Sequence, residues 1–190
     1  SYAPPICWHT MTMVGGAAYP NIMMIDGNDM RGIDVGLMTK AGFDIGAMRS
    51  HVAEGGPDAA VFSRDCPEYA VTLPGGEVIW MLVNHFKSKG FGNPADNNRR
   101  RRAQAAAVAG YVARLQSEGF QNIAVMGDLN DTPGSAPLEP LLAGDLRDVS
   151  EHPSFDTGAF AGKGTYGLGN DSDKIDYILL SPKLYQRVQA

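Results

Sequence analysis

The chain has 190 residues, 44% hydrophobic and 19% charged, which suits one globular domain with a single sizeable core and gives no reason to expect two. Its formal net charge of -5 argues against wholesale binding to nucleic acid, while leaving room for a local basic patch. No run approaches the roughly 18 apolar residues of a membrane span, and Ser1-Tyr2-Ala3-Pro4-Pro5 lacks the basic start and apolar centre of a signal peptide. Cys7 and Cys66 lie far apart without CxxC spacing, so they read as buried free thiols and leave the compartment open.

Residues 1 to about 20 show no clear periodicity, being interrupted by Pro4-Pro5, Gly15-Gly16 and Pro20. Asn21 to Ile25 is a short apolar strand closed by the turn Asp26-Gly27-Asn28-Asp29. Ile33, Val35 and Leu37 then alternate with Asp34 and Gly36 at strand period, with Arg31 and Asp34 near the start. Arg31 could grip a phosphate bidentately or simply pair with Asp34, and both readings stay open. Residues 43 to 52 read as a further strand. The strongest hairpin joins Tyr69–Leu73 to Glu77–Val83 across Pro74-Gly75-Gly76. The exit of its second strand carries His85, Lys87 and Lys89, which suit a phosphate, although a lone His is more often structural and Lys solvated.

The clearest helix covers residues 97 to 118, with Ala105, Val108, Val112 and Leu115 on one stripe, Asp96-Asn97 as N-cap and Gly119 as stop. Arg99 to Arg102 crowd its first turns, where the helix dipole disfavours cations. A solvated basic end is the default, and partners in carboxylates or a phosphate are the alternative.

Next comes the buried strand that begins at Asn122 and ends in Val125-Met126-Gly127-Asp128-Leu129-Asn130-Asp131-Thr132-Pro133. Asp128 and Asn130, two apart at a strand end, would face one point. A carboxylate beside a carboxamide suits hydrolysis of a phosphoester with a hard cation, and it is equally ordinary turn chemistry. A short helix is expected at Ala136 to Leu142, irregular chain from Leu146 to Phe155 and a glycine-rich loop from Gly158 to Gly169. The last strand falls in Asp173 to Pro182, where Asp176 interrupts an apolar run and must face solvent or a site.

Four of these stretches, in order, resemble the endonuclease/exonuclease/phosphatase superfamily of DNase-I-like metal-dependent phosphodiesterases. They are Gly27–Val35, Val83–Lys89, Met126–Asp131 and Asp173–Leu179, and the resemblance covers about residues 20 to 182 of a single domain over 1–190. It implies an α+β fold, a four-layer α/β sandwich of two mostly antiparallel sheets flanked by helices, incomplete at both ends. It implies catalytic roles for Asp128, Asn130, His85 and Asp176. Asp128 resembles the aspartate that binds metal or activates water, and Asn130 the asparagine that orients the scissile phosphate. His85 resembles the phosphate-contacting histidine, and Asp176 the aspartate that orients a catalytic histidine. Arg31, Asn84 and Lys87 are assigned to substrate.

The departures are two. The family's metal-binding glutamate has no counterpart before the Arg-Gly-Ile-Asp segment, since Glu54 is the first glutamate, and no histidine follows His152. Mg2+ or Mn2+, with Asp128 and Asn130 as ligands, is therefore expected to be weakly held. The implied function is a divalent-metal-dependent phosphodiester hydrolase acting on nucleic acid or another phosphoester, with activity of this chain alone left open. The alternative is a non-catalytic fragment or a phosphate- or nucleic-acid-binding module of the same fold. A domain short at both ends is also expected to expose sheet edges and self-associate through them.

Overall fold

The computed structural model describes residues 19–56, 60–158, 162–167 and 169–189. Expectations that fall on residues 1–18, on 57–59, or on 159–161 and 168 of the glycine-rich loop, Cys7 among them, lie outside the described residues.

Two sheets carry the fold. Strands β1 (Asn21–Ile25) and β2 (Val35–Thr39) form a two-stranded antiparallel sheet. The six-stranded sheet runs β3-β4-β5-β6-β8-β7, where β3 is Asp44–Arg49, β4 Glu68–Thr72, β5 Val78–His85, β6 Ile123–Asp128, β7 Arg147–Asp148 and β8 Asp176–Leu180. Every pairing is antiparallel except β5 with β6. That exception follows from the connection: a parallel neighbour needs a crossover, and the long helix α1 (Pro94–Ser117) supplies it.

The hydrophobic pattern assigns the faces. On β5, Trp80, Leu82 and Asn84 are buried while Ile79, Met81, Val83 and His85 are half-buried, the period of two expected of a strand with unlike faces. Trp80 and Leu82 join Ile123, Val125 and Leu179 beneath Ala105, Val108, Val112 and Leu115 of α1, forming the main core. Leu37 of β2 packs with Tyr69 and Val71 on the opposite face, with Met23, Ile45, Met81 and Val83 around them. The described residues thus make three layers: helix, large sheet, small sheet.

Helix α1 begins earlier than its apolar stripe suggests. Asn93 is the N-cap, its Oδ1 accepting from the Ala95 N–H at 2.8 Å, and Pro94 occupies the first turn, where no N–H is needed. Asn97 is not a cap, because its Nδ2 donates to the Lys89 and Phe91 carbonyls. The four arginines each find a partner, although Arg99 and Arg102 stay exposed. Arg99 pairs with Asp96, Arg100 donates to the Ala60 carbonyl, Arg101 meets Asp131 and Arg102 meets Glu139. The helix expected over 136–142 shrinks to α2 (Glu139–Leu142), and α3 (Pro182–Tyr185) follows β8.

Arg101 is 1% exposed and the largest fully buried side chain. Its Nε donates to Asp131 Oδ2 at 3.0 Å and its Nη1 to the Lys87 carbonyl, while Lys89 Nζ lies 2.7 Å from Asp131 Oδ1. Burial alone would raise the Asp131 carboxyl, but Lys89, the Thr132 N–H and Arg101 outweigh it and hold it below the usual carboxylate range. An acid so lowered adds stability above its unfolded value and loses it as pH falls through the folded one. Asp131→Ala strands the buried guanidinium, so urea unfolding at pH 7 should show a loss of about 3 kcal/mol or more.

Candidate active site

The three central strands end side by side, and their register makes a row. His85 of β5 is the partner of Asp128 of β6, and Asp128 is the partner of Asp176 of β8. Laterally paired residues project from the same face of a sheet, so imidazole and two carboxylates share one surface at the mouth of the large sheet. His85 Nε2 lies 3.6 Å from Asp128 Oδ2.

Gly127 permits this row to form. Its φ is +122°, and a Cβ there would stand 2.0 Å from the Asn84 carbonyl oxygen. Only glycine lets β6 run so close to β5 at this point. Two residues on, Asn130 sits at φ +54°, the left-handed conformation that asparagine tolerates best among side-chain-bearing residues. Its N–H donates to Asp128 Oδ1 at 2.7 Å and its Nδ2 to the Phe86 carbonyl at 3.1 Å. The polar turn and the site are therefore the same atoms.

Two charged groups flank the row that the sequence reading did not single out. Arg64, 3% exposed, donates to the Phe86 carbonyl at 3.1 Å and to Asp29 Oδ2 at 3.3 Å. Asp29 also receives Arg31 through both carboxylate oxygens, at 3.0 and 2.8 Å. The Arg31 hydrogen bonds, outweighing burial, hold the Asp29 carboxyl well below the usual range. Arg31 therefore does not pair with Asp34, whose Oδ1 instead accepts from the Gly27 N–H at 2.6 Å.

Burial pushes the His85 imidazole down, and Arg64 and Arg31 push it further against the smaller pull of Asp29 and Asp176. Burial pushes the Asp128 carboxyl up, opposed by the Asn130 N–H and Arg64 and assisted by the neighbouring Asp176. The pair is therefore biased toward neutral imidazole and a comparatively basic carboxylate, the protonation pattern of a group that can take a proton from water.

The other assignments separate. Asn84 is 2% exposed and lies on the opposite face from His85, with its Nδ2 donating to the Leu82 carbonyl, so it is a core residue under α1. Period two along β5 requires this, since neighbours in a strand point apart. Lys87 Nζ is tied to the Gly90 and Phe91 carbonyls of its own loop, and burial and then Arg64, Arg100 and Arg31 lower its basicity. His152 is structural: its ring contacts Tyr185 edge-on and its Nδ1 accepts from the Ser154 N–H. A cleft of about 430 Å³ opens beside Asp131, between Lys89, Asn98 and Ser135, and no member of the row lines it.

The sequence profile described as "Endonuclease/Exonuclease/phosphatase family" matches residues 14–189. The chain belongs to this family. Solved structures agree at the level of fold. An endonuclease/exonuclease/phosphatase family protein from Bacteroides thetaiotaomicron superposes with a TM-score of 0.58 at 16% identity, over 85% of this chain and 60% of that one. A mannosyl-6-phosphatase from Bacteroides thetaiotaomicron gives 0.59 at 19%, over 86% and 64%. Sphingomyelinase C from Streptomyces griseocarneus gives 0.55 at 19%, over 86% and 63%. The chain thus spans less than two thirds of the length of these family folds. No well-characterised protein matches at the level of sequence.

The divalent ion that the family resemblance implies fits the described residues poorly. Among them, no group of three or more His, Cys, Asp or Glu is arranged to hold a metal. Glu54, the first glutamate, is engaged by the Tyr111 hydroxyl and faces His51. Asp128 and the Asn130 carboxamide oxygen are the donors the resemblance assigns, and no arrangement of the neighbouring described carboxylates or imidazoles completes a metal-holding group around them.

If Gly127 sets the spacing of the row, Gly127→Ala should be among the most damaging small substitutions in this family member. The backbone clash and the left-handed φ together predict a loss of about 3 kcal/mol or more by urea denaturation.

Proposed function

We propose that the chain carries the phosphate-facing half of a phosphodiester hydrolase site, with Asp128, Asn130, His85 and Asp176 as its working residues. The observation that carries this reading is the lateral row His85–Asp128–Asp176 with the Asn130 carboxamide one turn away. Asp128 takes the proton of a water as that water attacks phosphorus. The P–O bond to the alcohol breaks, and the alkoxide takes up a proton from solvent water, the proton on Asp128 being returned to solvent afterwards. Asn130 uses one Nδ2 proton on Phe86, and the other is free to meet charge developing on a phosphoryl oxygen. His85, kept neutral, donates a hydrogen bond to the phosphate, and Arg31, whose side chain is 57% exposed, lies on the substrate side. Asp176 holds up the basicity of Asp128. Were Mg2+ or Mn2+ to bind, Asp128 and the Asn130 carboxamide oxygen are the residues that would hold it, weakly with two donors, and it would supply charge neutralisation. The substrate class is a phosphodiester, in nucleic acid or in another phosphoester.

A second reading is favoured by the incomplete ligand set: a phosphate-binding module of the same fold without turnover. One experiment separates the two. The purified chain is given a chromogenic phosphodiester with Mg2+ or Mn2+, beside an EDTA control and Asp128→Ala. Hydrolysis that EDTA abolishes and Asp128→Ala lowers on the order of 100- to 10,000-fold supports the hydrolase. Phosphate binding by a folded but inactive chain supports the module. The rate should fall on acidification as the two groups take up protons, with burial moving His85 below its ordinary value of 6.5 and Asp128 above its ordinary 3.8.

The same carboxylate has a stability consequence. Its folded pKa lies above the unfolded one, so the ionised form is disfavoured in the fold at neutral pH, and that penalty disappears as pH falls through the folded value. Asp128→Asn keeps the acceptor for the Asn130 N–H and removes the charge. Calorimetry at pH 7 should show a higher Tm than wild type in the same variant that loses hydrolysis, and a lower Tm would contradict the site strain.

A further inference from the structure

We infer that Arg64 is a positioning residue for the Asn130 carboxamide, acting through the Phe86 carbonyl that both side chains share. This rests on the reading of Asn130 as the phosphate-facing amide. The Phe86 oxygen accepts from Arg64 Nη2 at 3.1 Å and from Asn130 Nδ2 at 3.1 Å. A carbonyl can only accept, so the group turned toward it is the NH2, and the amide oxygen of Asn130 points elsewhere. Which way this carboxamide faces therefore depends on where the Phe86 carbonyl is held.

That carbonyl lies just past the end of β5, where the ladder gives it little support beyond the bond from the Phe86 N–H to the Asp128 carbonyl at 2.8 Å. Arg64 adds the second fixed point. Its own position is determined from two further segments: Nη1 reaches Asp29 Oδ2 at 3.3 Å in the turn after β1 and Ser63 Oγ at 3.3 Å in its own loop. The two loops are laced together independently, by Asn28 N–H to the Ser63 carbonyl at 2.6 Å and Asn28 Nδ2 to the Phe62 carbonyl at 3.3 Å. Arg64 thus carries the position of the small-sheet turn across to the exit of β5, and from there to Asn130 on the exit of β6. A guanidinium can do this because its planar fork places two donors at once, and a lysine ammonium on the same path cannot bridge both acceptors. Its Nε is buried without a hydrogen-bond partner, so the guanidinium stands there at a cost that core packing alone does not offset.

The test reads hydrogen exchange of side-chain amides by 15N NMR on the intact chain, in wild type, Arg64→Met, Arg64→Lys and Asp29→Ala. Asn97 is the internal control, because its Nδ2 bonds the Lys89 and Phe91 carbonyls and touches none of this linkage. Arg64→Met should speed exchange at the Asn130 amide on the order of tenfold with Asn97 unchanged. Arg64→Lys should fail to restore it, and Asp29→Ala should move it in the same direction by less. The inference is overturned if Asn130 is unchanged, if Asn97 moves with it, or if lysine restores protection. Should Arg64→Met not fold, unchanged Asn130 exchange in Asp29→Ala overturns it equally. None of these signals needs turnover, so an inactive wild type would remove the proposed hydrolase while the spectra still decide the role of Arg64.

Discussion

The parallel pairing of β5 with β6 is the constraint on which the rest depends. Its register places His85 beside Asp128 and Asn84 beside Gly127, and the adjoining antiparallel pairing of β6 with β8 adds Asp176. A shift of one residue in that pairing would put His85 and Asp128 on opposite faces, one of them on the α1 side, where Trp80, Leu82 and Val125 lie. The register is held on that side by the burial of those apolar residues and at the strand ends by the close approach of Gly127 to the Asn84 carbonyl. Packing energy beneath the sheet thus fixes the position of charged groups above it.

The charged groups are costly where they stand. Asp128 and Asp176 are like charges on neighbouring strands, and Asp128 is half-buried with no cation in direct contact except a histidine whose own protonation is disfavoured. Elsewhere the fold avoids this. Asp29, Asp131 and the fully buried Glu68 each meet arginine, with Glu68 receiving Arg114 at both oxygens and Arg49 as well. Asp65, 1% exposed, meets no arginine but accepts from the Ser50 hydroxyl and the His51 and Cys66 N–H groups, so what sets Asp128 and Asp176 apart is that two half-buried carboxylates are neighbours in register, an arrangement that a substrate or cation would relieve.

Much of this was legible in the sequence because it rests on local rules. Alternation marked β2, the Pro-Gly-Gly turn marked the β4–β5 hairpin, and the polar turn after the apolar run of β6 marked the strand end that carries Asp128. What local rules could not reach were pairings set by tertiary contact. Arg101 is one of four consecutive arginines, and only the placement of Asp131, thirty positions away, distinguishes the buried one from its exposed neighbours. Arg64 follows a serine in a loop without periodicity, so its contacts with Asp29 and Phe86 had no signal. Asn84 was misplaced by motif adjacency to His85, although strand period already turned it to the other face.

Arg31 and Arg64 show how an acidic protein can still carry a local positive field at one end of a sheet. Asp29 takes up both guanidinium groups, yet it is one carboxylate against two cations, and the excess positive field falls on His85 and Lys87. Net charge reports the sum over the surface, while binding depends on the local imbalance at one end of a sheet. Burial chiefly disfavours the protonated His85 and the arginine pair adds to it, while Arg64 alone of the two partly offsets the burial of Asp128, so the local positive field reinforces the protonation states that burial sets.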